Sequence, residues 1–216
     1  MDIIKKQIAY NRTKRNTAIK YIVIHDTQNE NKGADAMAHF NYFNGGDRGS
    51  SADIFVDDKR VVQINDYTKY YTWHCGDGKG KYGITNANSI GIEICVNSDG
   101  DYNTAFLKAV EVTKQLMAEL NIPIDRVVRH YDASRKNCPA SMSVNNWAYW
   151  QDFKNRLADT EETIQELVTP NDIVWELGHR GFVTDTKGML NEMNKNPNGR
   201  LYWLARKMLH YIRTKK

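Results

Sequence analysis

The stretch SIGIEICVN, Ser89 to Asn97, decides the fold. Its side chains alternate with a period of two. Ile90, Ile92, Ile94 and Val96 share one face, and Gly91, Glu93, Cys95 and Asn97 share the other. Toward the N-terminus, YIVIH (Tyr21 to His25) alternates in the same way, with Tyr21, Val23 and His25 opposite Ile22 and Ile24. ADIFV and RVVQI read as two more strands, joined by Asp57-Asp58-Lys59, residues suited to a hairpin turn. Toward the C-terminus, TAFLKAVEVTKQLMAELN sets Phe106, Val110, Met117 and Leu120 at helical spacing. Pro123 ends that helix, and DRVVRH returns as a short strand to His130. ADAMAHFNYF before Gly45-Gly46, and the series Trp147, Trp150, Phe153 and Leu157, give two further helices. Strands interleaved with helices predict an α/β fold, with a mixed central β-sheet flanked by helices.

The pattern changes after Leu157. ADTEETIQELV is polar and acidic, and residues 159–168 read as a linker between a domain at 1–158 and a small helical unit at 169–216. In that unit Thr169 suits an N-cap, Pro170 the first helical position and Gly178 a C-cap. DTKGMLNEMN and RLYWLARKMLHYIR add two helices, so the C-terminal unit is expected to hold three. Leu201, Leu204, Met208, Leu209 and Ile212 form an apolar stripe that Trp175, Leu177, Met189 and Leu190 would complete into a core. A unit of about 48 residues buries little apolar surface on its own.

Composition narrows the class. Of 216 residues, 41% are apolar and 26% charged, which excludes wholesale disorder. No apolar run approaches the roughly 18 residues of a membrane span. The opening MDIIKKQIAYNRTKRN lacks the apolar stretch of a secretory signal, so synthesis in the cytoplasm is expected. Three Cys are too few for a disulfide framework, and they point to free thiols or metal ligands. The net charge of +4 suits an anionic polymer such as a bacterial wall, while no groove-reading motif supports nucleic acid. Arg200, Arg206, Lys207, Arg213, Lys215 and Lys216 lie in a tail with no Asp or Glu.

Three residues carry the chemistry of one metal centre. His25 and His130 each end a strand, and Cys138 follows His130 in RHYDASRKNCP. Two imidazoles and a thiolate suit Zn²⁺, with the fourth position open for water. On spacing alone His39, His74, Cys75 and Cys95 compete as ligands. Glu93 sits mid-strand, where a carboxylate is costly unless satisfied or exposed. It reads either as a general base or as part of a face open to water. Lys136 is a cation able to stabilise a developing oxyanion.

Five motifs, YIVIHDT, AHFNYFNGGDRGSSADIFVDD, RVVQI, WHCGDGKGKYGITNANSIGIEICVN and RHYDASRKNCP, together resemble the zinc-dependent N-acetylmuramoyl-L-alanine amidases of type 2. These share a fold with the peptidoglycan recognition proteins, and the likeness, spanning residues 10–157, is greatest to endolysins of phages and prophages from clostridia and related Gram-positive bacteria. The resemblance implies one catalytic zinc held by His25, His130 and Cys138, with Glu93 as catalytic base and Lys136 beside it. It places Trp73, His74 and Asp77 along the substrate groove. Two departures stand out: Asp53 replaces the His or Asn found in many relatives after SSA, and Cys75 replaces Ala. The implied function is hydrolysis of the amide between N-acetylmuramic acid and L-Ala of peptidoglycan, reached after holin-dependent release, in host cell lysis. The alternative is a module that binds peptidoglycan without cutting it; the complete ligand set with Glu93 favours catalysis. The aromatic residues Trp175, Phe182, Tyr202, Trp203 and Tyr211, His179 and Arg180 of GHRGF, and the basic tail suggest that 169–216 binds the wall, including anionic wall polymers.

Overall fold

The computed structural model describes residues 2–158 and, beyond them, residues 170, 173, 174, 177, 183–196, 199, 201, 204 and 205. The chain divides into two compact units, 1–158 and 159–216.

The first unit is built on a six-stranded mixed sheet. Its strands are β1 (Ile3–Lys5), β3 (Tyr21–Asp26), β4 (Ile54–Val56), β5 (Val61–Gln63), β7 (Ser89–Ile94) and β8 (Val127–Arg129), in the order β1-β5-β4-β7-β3-β8. The four strands β4, β7, β3 and β8 are parallel, and β5 is antiparallel to β4. A separate ribbon pairs β2 (Arg12–Lys14) with β6 (Tyr70–Thr72). The expected hairpin lies between β4 and β5. Asp57 shapes it, accepting from the backbone N–H groups of Lys59 and Arg60, each at 2.7 Å.

Helices cover both faces of the sheet. Helix α1 (Ala36–Asn44) is capped by the Asp35 side chain, which accepts from the Ala38 N–H at 2.8 Å. Helix α2 (Tyr102–Leu120) starts at the Asp101 cap and ends at Asn121, whose left-handed backbone returns its N–H to Met117 O. On one face Ile22, Ile24, Ile54, Ile90, Ile92 and Ile94 pack against Phe106, Val110 and Leu116 of α2 and Trp150, Phe153 and Leu157 of α4 (Val144–Ala158). Burying each such side chain is worth about 1.5–3 kcal/mol. On the other face Phe55 and Val62 meet Ala36, while Val23 meets Cys75, Ile84 and Ala133. That second face also carries His25 and Glu93, which are direct partners across β3 and β7.

Two readings within the first unit need correction. His130 does not end a strand: β8 stops at Arg129, and His130 opens the short helix α3 (His130–Ser134). The cause is Asp132, whose carboxylate accepts from the Arg129 backbone N–H at 2.9 Å and turns the chain. In α4 the residues Asn145, Asn146 and Trp147 are left-handed, so the regular helix begins after Trp147.

In the second unit, helix α5 (Thr186–Lys195) is capped by Asp185. Residues 170, 173, 174, 177, 201, 204 and 205 are helical. Ile173, Val174, Leu177, Met193 and Ala205 are buried together, with Val183, Met189 and Leu190 against them. The stripe read on the last helix does not face inward where it is described: Leu201 and Leu204 are exposed and Ala205 is buried instead. Trp175, Gly178, His179, Arg180, Phe182, Tyr202, Trp203, Tyr211 and the residues from Arg206 onward lie outside the described residues. No described helix is long and apolar enough to cross a membrane.

Candidate metal centre

The end of β3, the start of α3 and the loop that follows α3 bring His25, His130 and Cys138 together. One ligand atom from each lies within 4.8 Å of the others, and all three side chains are buried. Cys138 Sγ is 3.7 Å from His25 Nδ1, and Glu93 Oε1 is 4.0 Å from the same nitrogen. Among the described residues no other His, Cys, Asp and Glu grouping has this geometry. The competing candidates fall elsewhere. His39 stacks on Phe55 at 4.9 Å, and Cys95 packs beside α1. Cys75 is buried with its sulfur 3.8 Å from Ser89 Oγ, and burial pushes its thiol up to about 12.

The donor set fits a bound cation. His130 Nδ1 is buried and has no hydrogen-bond partner. Leaving such a group unsatisfied costs about 1–3 kcal/mol unless a ligand takes it up. The opposite edge of each histidine is engaged: His25 Nε2 lies 3.0 Å from His74 Nδ1, and His130 Nε2 lies 2.7 Å from Asp77 Oδ1. Burial holds His25 well below the ordinary imidazole range, helped by His74, His130 and the Lys136 cation, so it stays neutral and ready to ligate. Burial pushes the Cys138 thiol up, while a hydrogen bond from the Asp26 backbone stabilises its sulfur.

Glu93 stands beside this trio with its side chain only 18% exposed. Its face is therefore not open to water. A parallel sheet is covered on both sides, and the period-two pattern alone could not distinguish that from a half-exposed sheet. Burial pushes the Glu93 carboxyl well above the usual carboxylate range, the Asp26 carboxylate adds to the push, and Lys136 opposes it. Glu93 Oε2 has no hydrogen-bond partner. Lys136 is exposed on the loop before Cys138, whose N–H donates to the Lys136 carbonyl at 2.8 Å.

The other motif residues are spread over different jobs. Trp73 is partly buried, and its indole N–H donates to Thr13 Oγ1 at 2.9 Å. His74 is 8% exposed and has both ring nitrogens hydrogen-bonded, the second to Ser89 Oγ at 3.1 Å. The Asp77 side chain is half exposed beside α3. Asp53 is wholly buried and makes no groove contact: it accepts from Asn65 Nδ2 at 2.7 Å, Thr72 Oγ1 at 2.8 Å and the Gly91 N–H at 2.8 Å. It ties the ribbon to the main sheet. Asp53→Ala leaves those three donors unpaired and is expected to lower the unfolding free energy by about 3–5 kcal/mol in urea denaturation. A loss below about 1 kcal/mol would show that the network does not carry the fold.

Sequence reading missed Ser89, Gly91 and Asp26 as supports of this centre. Gly91 had a signal: a glycine inside a good strand marks a close approach. A Cβ there would lie 2.7 Å from His74 Cγ.

Comparison with known proteins gives one consistent answer. Residues 15–141 match the family described as N-acetylmuramoyl-L-alanine amidase (Amidase_2). The chain is 37% identical over 146 residues to the N-acetylmuramoyl-L-alanine amidase CwlH of Bacillus subtilis (strain 168), covering 68% of this chain and 56% of that protein. It is 41% identical over 137 residues to the amidase XlyA of the same organism, covering 62% of this chain and 42% of XlyA. The chain thus spans about half the length of the curated relatives it matches. The solved structure of the XlyA catalytic domain superposes with a TM-score of 0.65 at 38% identity, covering 73% of this chain and 100% of that domain. That of PlyL gives 0.62 at 33% identity, covering 74% of this chain and 98% of PlyL.

Proposed function

The chain belongs to the N-acetylmuramoyl-L-alanine amidase family, and from that premise we propose that it hydrolyses the amide joining N-acetylmuramic acid to L-Ala in bacterial peptidoglycan. The observation that carries this reading is the convergence of three buried ligand atoms within 4.8 Å of one another, with a largely buried carboxylate 4.0 Å from one of them. We assign His25, His130 and Cys138 as ligands of one Zn²⁺. When bound, that ion supplies a Lewis acid for the amide carbonyl and for water. Glu93 takes one proton from the attacking water as the new carbon–oxygen bond forms. It returns that proton to the nitrogen as the carbon–nitrogen bond breaks, so the amine leaves neutral and the carboxylate is restored. Lys136 places a positive charge near the carbonyl oxygen as negative charge grows there. Trp73 lines the groove beside this centre. The second unit, with its aromatic residues and cations, attaches the chain to the wall, where the reaction takes place.

The test uses the full-length chain on purified Gram-positive walls. New amino-terminal alanine is expected to appear without new reducing sugars. A chelator is expected to stop its release, and zinc to restore it. Sedimentation of the chelated protein with walls reports attachment separately from cleavage. New reducing ends in place of amino termini, or undiminished digestion by metal-stripped protein, would refute the proposal.

A further inference from the structure

Two hydrogen-bond relays run away from the metal-facing histidines, and each has a fixed direction. The first ends at the Thr85 carbonyl, which can only accept. Ser89 Oγ lies 2.5 Å from it and donates. The Ser89 oxygen therefore accepts from His74 Nε2, 3.1 Å away, so His74 carries its proton on Nε2. His74 Nδ1 is then bare and accepts from the N–H of His25 Nε2 at 3.0 Å. His25 is left with a bare Nδ1, the atom that faces Cys138 Sγ. The second relay is shorter. The Asp77 carboxylate can only accept, so His130 carries its proton on Nε2, at 2.7 Å, and presents a bare Nδ1. Asp77 is steadied by a further hydrogen bond from the Ser134 side chain.

Both relays are seated by glycines. A Cβ on Gly91 would lie 2.7 Å from His74 Cγ and 2.9 Å from its Nδ1. A Cβ on Gly78, next to Asp77, would run into the Ala133 carbonyl of α3. Any side chain at either position would move the relay residue beside it.

We propose that His74 and Asp77 are positioning residues that lock His25 and His130 in the Nε2–H tautomer, so that both present Nδ1 to the ion before it arrives. The inference rests on the reading of His25, His130 and Cys138 as the metal site, and it gives His74 and Asp77 a different task from touching substrate. His74 has no free ring nitrogen to offer a ligand in the groove.

Two measurements on the full-length chain test it. The first is zinc affinity by competition with a chromophoric chelator. Asp77→Ala and His74→Ala are each expected to weaken zinc about 10–100-fold, the usual cost of losing an outer partner of a ligand. Asp77→Asn keeps an oxygen acceptor and is expected to recover most of the loss. The second is long-range ¹H–¹⁵N NMR of the metal-free protein. His25 and His130 are expected as Nε2–H tautomers in the wild type, and His130 as a tautomer mixture in Asp77→Ala. Wild-type zinc affinity in Asp77→Ala with only KM raised would overturn the relay and return Asp77 to the substrate. An Nδ1–H tautomer at His130 in the wild type would overturn it as well. A wild-type chain that takes up no zinc would instead overturn the metal site, and the tautomer spectrum would still decide the relay.

Discussion

Glu93→Gln is expected to lower the rate of wall digestion by about 10²–10⁴-fold while the protein retains its zinc, the range seen when a general acid–base group is removed. Glutamine keeps the size of the side chain and its place opposite His25 across β3 and β7, but an amide oxygen cannot take a proton from water near neutral pH. The same substitution is expected to leave thermal stability unchanged or to raise it in metal-free protein. The direction follows from the environment. Burial and the neighbouring Asp26 carboxylate hold Glu93 well above its ordinary range, so the folded chain disfavours its charged form, and a neutral amide removes that penalty. A buried, incompletely paired carboxylate is the kind of stability cost that function retains. Release of amino-terminal alanine, zinc per chain and the thermal midpoint together check the prediction. A variant that digests walls at the wild-type rate would remove Glu93 from the chemistry.

Cys138→Ser is expected to weaken zinc binding by about 10²-fold or more, beyond the loss expected for an outer partner. A thiolate brings a full negative charge to the ion, and a serine hydroxyl brings none. The hydrogen bond from the Asp26 backbone, which supports the sulfur as an anion, then has little charge to stabilise. Activity is expected to vanish after dialysis against a chelator and to return in part only at high zinc. Cys138→Asp restores an anionic ligand and is expected to recover part of the affinity. Zinc per chain after dialysis checks both variants, and full retention by the serine variant would show that the sulfur is not a ligand.

Much of the first unit was legible because its elements are strongly periodic. The alternation in Tyr21 to His25 and Ser89 to Ile94, and the helical spacing from Phe106 to Leu120, survive in the structure as β3, β7 and α2. The strands β1, β2 and β6 were not legible. IIK, RTK and YYT are largely exposed or half-buried and lack the apolar run that marks the equally short β4 and β5, and they exist because their backbones pair with distant segments. Cys138 and His25, which are 113 residues apart, lie side by side in the fold. The work of His74 was hidden for a related reason. Its partners at His25 and Ser89 lie 49 and 15 residues away, and hydrogen bonds across such gaps leave no local pattern. Asp53 was obscure in the same way, since its acceptor role depends on Asn65, Thr72 and Gly91 meeting around it.

The four parallel strands β4, β7, β3 and β8 all send their carboxyl termini to one end of the sheet, and His25, Glu93 and His130 are collected there. The segments leaving that end are connections, while the hydrogen-bonded ladder beneath them runs unbroken from β1 to β8. Such connections can be lengthened or exchanged without unsettling the scaffold. An engineer who wishes to alter what this centre accepts would therefore rebuild the rim and leave the floor untouched.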